Sequence, residues 1–209
     1  MSETQNDRLT IYADYVCPFC YLGHASLSRY QETRDSPVEF DWHPFDLRSG
    51  KRGPDGEIDH SVDDGKDEEY FSQAKENVRR LQQEYDVEMA QEIAIEVDSL
   101  NSQLASLYVR EEYPENWAAF DEAIYTALWV EGRDIGEPDV LADLAESVGL
   151  DPEEVLEATE DDDLRERLDS RFSEARKQGV TGVPTFAYEG QAARGAVPPE
   201  QLKRLVEGR

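Results

Sequence analysis

Bases are scarce in this chain. Its 209 residues hold 21 Lys and Arg against 48 Asp and Glu, a formal charge of −27, and only five of the cations are lysines. So few bases cannot build a patch that neutralises a run of phosphates, which excludes a nucleic-acid binder. Adhesion to an anionic membrane surface is excluded on the same ground. No apolar run approaches the ~18–20 residues of a bilayer span. The start, Met1-Ser-Glu-Thr-Gln-Asn-Asp7, has neither the basic nor the apolar segment of a secretory signal, so a cytoplasmic location is expected. Cysteine is nearly absent: Cys17 and Cys20 are the only two, too few for a disulfide framework. A zinc site would need a second Cys pair or a close His pair. His24, His43 and His60 are scattered, so no metal is expected.

Aromatic residues are plentiful by contrast. Three Trp, ten Tyr and seven Phe run along the whole length, as a packed core requires and a disordered acidic tail does not. The acids recur in nearly every predicted helix, and arginine replaces most lysine. This pattern resembles the proteins of salt-accumulating haloarchaea, whose acidic surfaces depend on salt to screen their self-repulsion.

Periodicity divides the chain into three parts. Leu9–Tyr15 alternates as a strand, a helix follows Cys17 to about Thr33, and Val38–His43 alternates again. This β-α-β start implies parallel strands with a right-handed crossover. A polar loop from Arg48 to Asp67 leads into about a hundred residues of helical pattern. Apolar positions recur from Tyr70 to Tyr85, after an N-cap at Asn101 or Ser102, after Pro114, after Pro138, after Asp151-Pro152, and from Leu164 towards Gly179. The strand pattern returns at Pro184–Glu189. A turn at Glu189-Gly190, a partner strand from Gln191 to Gly195 and a helix opened by Pro198-Pro199 complete the chain. The expected organisation is one domain of residues 1–60 and 180–209 with a helical unit, 61–179, inserted in it. Trp42, Trp117 and Trp129 read as core, the acidic stretch Asp63–Glu69 as solvated surface, and His24 as a surface or capping residue.

Chemistry concentrates at Cys17-Pro18-Phe19-Cys20, between a strand and a helix. Two cysteines at this spacing can meet the ~4.4–6.8 Å Cα separation of a disulfide. Pro18 suits the first helical turn, where a missing N–H loses no bond. The unpaired amides and dipole of the helix start favour a thiolate at Cys17. Cys20, one turn in, is expected to be the more buried, resolving thiol. A second feature is Gly179-Val-Thr-Gly-Val-Pro-Thr-Phe186, where Pro184 opens a strand and is a candidate for a cis bond.

With Asp14-Tyr-Val-Cys-Pro-Phe-Cys-Tyr-Leu-Gly23, His43-Pro-Phe, Asn101-Ser102, Gly182-Val-Pro-Thr-Phe186 and Gly195-Ala-Val-Pro-Pro199 in order, the sequence resembles the DsbA-like family of the thioredoxin superfamily. It is most similar to the FrnE and 2-hydroxychromene-2-carboxylate isomerase-like branch. The resemblance implies an α/β thioredoxin fold with a large all-helical insertion. It implies thiol–disulfide exchange, with Cys17 attacking, Cys20 resolving, cis-Pro184 beside Cys17, and the Val183 backbone pairing with substrate. No cofactor is implied beyond the redox pair. The partners would be protein or small thiols and disulfides, glutathione among them, meeting an apolar surface at Phe19 and Val183, and the chain would be a monomer or homodimer. The alternative is a glutathione-dependent isomerase or transferase, although relatives of that type typically carry Ser at the position of Cys17. One departure concerns the proton. Many thioredoxin-fold proteins bury an acid six residues before the first cysteine, where this chain has Ile11; Asp14 is nearer, and which way it points is open.

Overall fold

Leu9–Ala13 forms β1, the strand around which the rest assembles. The computed structural model describes residues 8–53 and 56–208; the Met1–Asp7 start, on which the reading of a signal rests, lies outside them. In chain order there follow α1 (Pro18–Glu32), β2 (Phe40–Pro44), α2 (Glu68–Glu84), α3 (Leu100–Glu112), α4 (Pro114–Trp129), α5 (Pro138–Ser147), α6 (Pro152–Thr159), α7 (Asp162–Lys177), β3 (Thr185–Tyr188), β4 (Gln191–Arg194) and α8 (Pro199–Glu207). The strands make one sheet in the order β2-β1-β3-β4. β1 runs parallel to β2 and antiparallel to β3, and β3 and β4 form a hairpin. Sequence-distant ends thus share one sheet, and among the described residues six α-helices stand between β2 and β3 in the chain. This is the expected thioredoxin fold with its helical insertion.

Register sets the two faces of the sheet. Trp42, Ile11, Phe186 and Ala193 are paired neighbours across the four strands. All four are buried in the main core cluster with Leu27 and Tyr30 of α1, Ile124 and Leu128 of α4 and Leu202 of α8. The opposite row holds Tyr12, which packs with Phe45, Ala175 and Val180 near α7. Because successive side chains alternate, this short sheet is covered on both faces. Trp42, Trp117 and Trp129 all fall in the core.

The helix starts follow local signals. Proline occupies the first turn of α1, α4, α5, α6 and α8. Asp67, Asp151 and Asp161 cap α2, α6 and α7 through their carboxylates. α3 differs from expectation: its N-cap is Ser99, and Asn101 and Ser102 lie inside the helix. Ser99 makes no side-chain cap because its hydroxyl donates to Asp14 at 2.5 Å. β1 also ends earlier than expected, at Ala13. There the chain turns, with the Cys17 amide donating to the Asp14 carbonyl at 3.1 Å.

The polar loop after β2 is tied down by Arg52. Its guanidinium contacts Asp98 through two bonds of 2.7 Å and Asp46 at 2.7 Å. Among the described residues, no helix is long and apolar enough to cross a membrane.

Candidate active site

Cys17 is the N-cap of α1, in extended conformation, and its carbonyl accepts from the Cys20 amide at 3.0 Å and the Tyr21 amide at 3.3 Å. Pro18 follows in the first turn. Both thiols are free, and both are buried, at 3% and 2% exposure. The expected contrast in burial is therefore absent. What separates the two thiols is the space each one faces.

The Val183–Pro184 peptide bond is cis, and the Cys17 thiol donates to the Val183 carbonyl at 3.4 Å. Gly23 of α1 lies against the same loop. A Cβ there would lie 3.1 Å from Pro184 Cγ and 3.2 Å from Phe186 Cζ. Glycine therefore lets α1 lie directly on the loop that precedes β3. That loop is closed by Thr185 Oγ1 donating to the Gly182 carbonyl at 2.8 Å.

Cys17 and Phe19 open outward onto a groove of about 500 Å³ that Val16 and Val183 also line. Its apolar character was expected. Its charged groups were not: Arg48, Lys51 and Lys66 stand on the same groove with Asp46 and Asp64, and His60 lines it too. Two of the chain's five lysines thus meet at one place, both within reach of Asp64, at 3.4 and 3.1 Å. Clustering of so scarce a residue within sixteen positions is the signal that could have found this rim.

Cys20 faces inward onto a cavity of about 20 Å³, together with Ile11, His24, Trp42, Asp121 and Tyr125. Asp121 accepts from the Tyr15 hydroxyl at 2.7 Å, and that hydroxyl also bonds Ser106 at 2.7 Å. His24 Nε2 lies 3.9 Å from Asp121 Oδ2, and its ring packs 5.4 Å from that of Tyr125. His24 is thus neither a cap nor a free surface residue. The other histidines lie elsewhere, His60 on the outer groove and His43 beside Tyr12 on the far face of the sheet. Among the described residues, no three His, Cys, Asp or Glu side chains gather as metal ligands do.

Burial governs the charges here. It pushes the Cys20 thiol well above the ordinary range, and the neighbouring Cys17 adds to the effect. Asp14 is pushed up to about 6 by burial, against the opposing bonds from Ser99 and the Leu47 amide. The direction of Asp14 is now clear. Its Oδ1 accepts from the Val16 amide, Ser99 and Gln103, and its Oδ2 from the Leu47 amide at 2.9 Å. Four donors make it a knot between the β1–α1 turn, the loop after β2, and α3.

A sheet of this order, with two cysteines at the start of α1 facing a cis-proline loop, defines a thioredoxin-fold protein. Residues 8–207 match the DSBA-like thioredoxin domain, and the chain belongs to that family. It is 29% identical to the uncharacterised protein YwbO of Bacillus subtilis over 95% of this chain and 94% of that one. A probable DsbA oxidoreductase from Streptomyces coelicolor shares the fold with a TM-score of 0.76 and 23% identity, covering 97% of this chain and 90% of the other. A 2-hydroxychromene-2-carboxylate isomerase shares it with a TM-score of 0.75 and 20% identity, over 96% and 93%.

Proposed function

We propose that the chain is a protein-disulfide oxidoreductase acting through Cys17 and Cys20. The observation that carries this reading is the Cys17 thiol at the start of α1, 3.4 Å from the Val183 carbonyl and next to the outer groove, with Cys20 one turn behind it. The Cys17 thiolate attacks a substrate disulfide, forming a Cys17–substrate bond and releasing one substrate thiolate. Cys20 then attacks Cys17 Sγ, closes the Cys17–Cys20 disulfide and releases the second. Two electrons pass from the protein pair to the substrate. The reverse order oxidises a dithiol. Val183 presents a backbone edge to an extended substrate segment, and Phe19 and Val183 supply apolar contact. Pro18 holds the first turn of α1 between the two thiols.

One observation favours a second reading, a glutathione-dependent isomerase or transferase: the cationic rim of Arg48, Lys51 and Lys66 fits the carboxylates of a small thiol or an aromatic acid. The two differ in what they require of Cys20. Under the first, Cys17→Ser abolishes reduction of insulin or glutathione disulfide, and Cys20→Ser accumulates mixed disulfides. Glutathione-dependent isomerisation that survives Cys20→Ser, without any disulfide turnover by the unmodified protein, would establish the second. The setting we infer for either reading is a salt-rich cytoplasm, on the strength of the −27 charge.

A further inference from the structure

Closing the Cys17–Cys20 disulfide requires a proton to leave Cys20, a thiol 2% exposed. The position six residues before Cys17 offers no base, since Ile11 lines the same inner cavity as an apolar wall. Asp14 does not line that cavity, and its oxygens already receive four donors. The groups around Cys20 are Cys17 and His24 from α1, Asp14 from the preceding turn, and Asp121 and Tyr125 from α4. The strands contribute Ile11, Ala13, Phe40, Trp42 and Phe186. Among the described residues, Asp121 is the one carboxylate that lines the cavity with the thiol.

Two further observations point to a water in that space. Its volume, about 20 Å³, is what one water requires. Trp42, on its wall, has a buried indole N–H with no partner among the described residues, a state that an ordered water relieves.

We propose that Asp121 accepts the Cys20 proton through one water held in this cavity, and that His24 passes it on to solvent. The proposal rests on the disulfide-exchange reading. In the resolving step the S–H bond of Cys20 breaks as its sulfur bonds Cys17 Sγ. The substrate thiolate departs with the electron pair of the broken disulfide, and the proton moves to the water while the water gives one to Asp121. His24, 3.9 Å from Asp121 and with a side chain 27% exposed, is the outlet. Burial raises the affinity of Asp121 for a proton, while His24 and the Tyr15 hydroxyl oppose that, so the carboxylate can take the proton and release it. An acid that the thioredoxin strand lacks is thereby supplied from an inserted helix.

The test is a single turnover of the reduced protein with 5,5′-dithiobis(2-nitrobenzoate), followed by release of the coloured thiolate. The first equivalent reports attack by Cys17 and the second resolution by Cys20. Asp121→Asn should leave the first phase unchanged and slow the second at pH 7 by about a hundredfold, the low end of what a positioned base supplies. Its second phase should rise tenfold per pH unit, with hydroxide as the remaining base, where the unmodified protein reaches a plateau. Asp121→Glu should restore the plateau, and His24→Asn should slow the second phase with rescue by added imidazole. A second phase with an unchanged pH profile in Asp121→Asn overturns the relay. If that variant does not fold, an unchanged profile in His24→Asn overturns it instead. Failure of the unmodified protein to release either equivalent counts against the disulfide-exchange reading, and so is told apart from failure of the relay.

Discussion

An alanine at position 23 would set a methyl group 3.1 Å from Pro184 Cγ and 3.2 Å from Phe186 Cζ, inside the ~3.5–4.0 Å of a relaxed carbon contact. Neither neighbour has room to retreat. The Pro184 carbonyl accepts from the Gly195 amide at 2.8 Å, and Phe186 is 1% exposed between Ile11 and Ala193. The strain therefore falls on the seam between α1 and the loop before β3. Overpacking of this kind costs about 1–3 kcal/mol, and the better helix propensity of alanine offsets about 1 kcal/mol of it. The net loss is up to about 2 kcal/mol. Urea unfolding should show a lower midpoint with an unchanged slope. The reaction of Cys17 with a disulfide probe should slow several-fold, because the Cys17–Val183 contact crosses the same seam. Gly50→Ala is the control, since nothing lies within 4 Å of its added methyl. If Gly23→Ala gains about 1 kcal/mol and Cys17 reacts at its former rate, the seam is loose and the reasoning fails.

Tyr15→Phe leaves the buried Asp121 without its 2.7 Å donor and should lower stability by about 1–3 kcal/mol in urea; an unchanged midpoint would refute this. Arg52→Met strands Asp46, 4% exposed, and should cost about 3–5 kcal/mol. A loss under about 1 kcal/mol in chemical unfolding would mean that the loop after β2 does not depend on this cation. Asp14 is held at about 6 against an ordinary 3.8, so its charged form burdens the folded state by about 3 kcal/mol. That burden is absent below pH ~4, grows as the unfolded chain ionises first, and is complete above pH ~6. Stability relative to Asp14→Asn should therefore rise as pH falls from 7 to 5, with the carboxyl carbon titrating near 6 by NMR; a midpoint near 4 contradicts it. The melting temperature should rise between dilute and molar KCl as salt screens the −27 charge, and a flat response counts against a salt-adapted surface.

What the sequence made legible was local. Proline at helix starts announces α1, α4, α5, α6 and α8, apolar spacing places α2 and α7 within two residues of their starts, and alternation marks the strands. The cysteine pair and Pro184 were visible because a helix start and a strand start each carry their own punctuation. The misses were all tertiary. Ser99 does not cap α3 because it bonds Asp14, 85 positions away. Asp121 looks like any helical acid until the chain folds it against Tyr15, 106 positions distant. His24 has ordinary helix spacing, and only α4 gives it a carboxylate. The cations of the outer groove sit in a polar loop, where the pairing of two scarce lysines was the one available hint and only the fold sets them beside Cys17.

Cys17 and Cys20 are one helical turn apart, yet Cys17 lines a broad groove and Cys20 a cavity of about 20 Å³ that shares none of the groove's residues. On the two proposed readings, recognition and proton handling therefore draw on different side chains. Under those readings, groove residues such as Arg48, Lys51 and Lys66 can be exchanged to suit a differently charged disulfide while Asp121, His24 and Trp42 stay as they are.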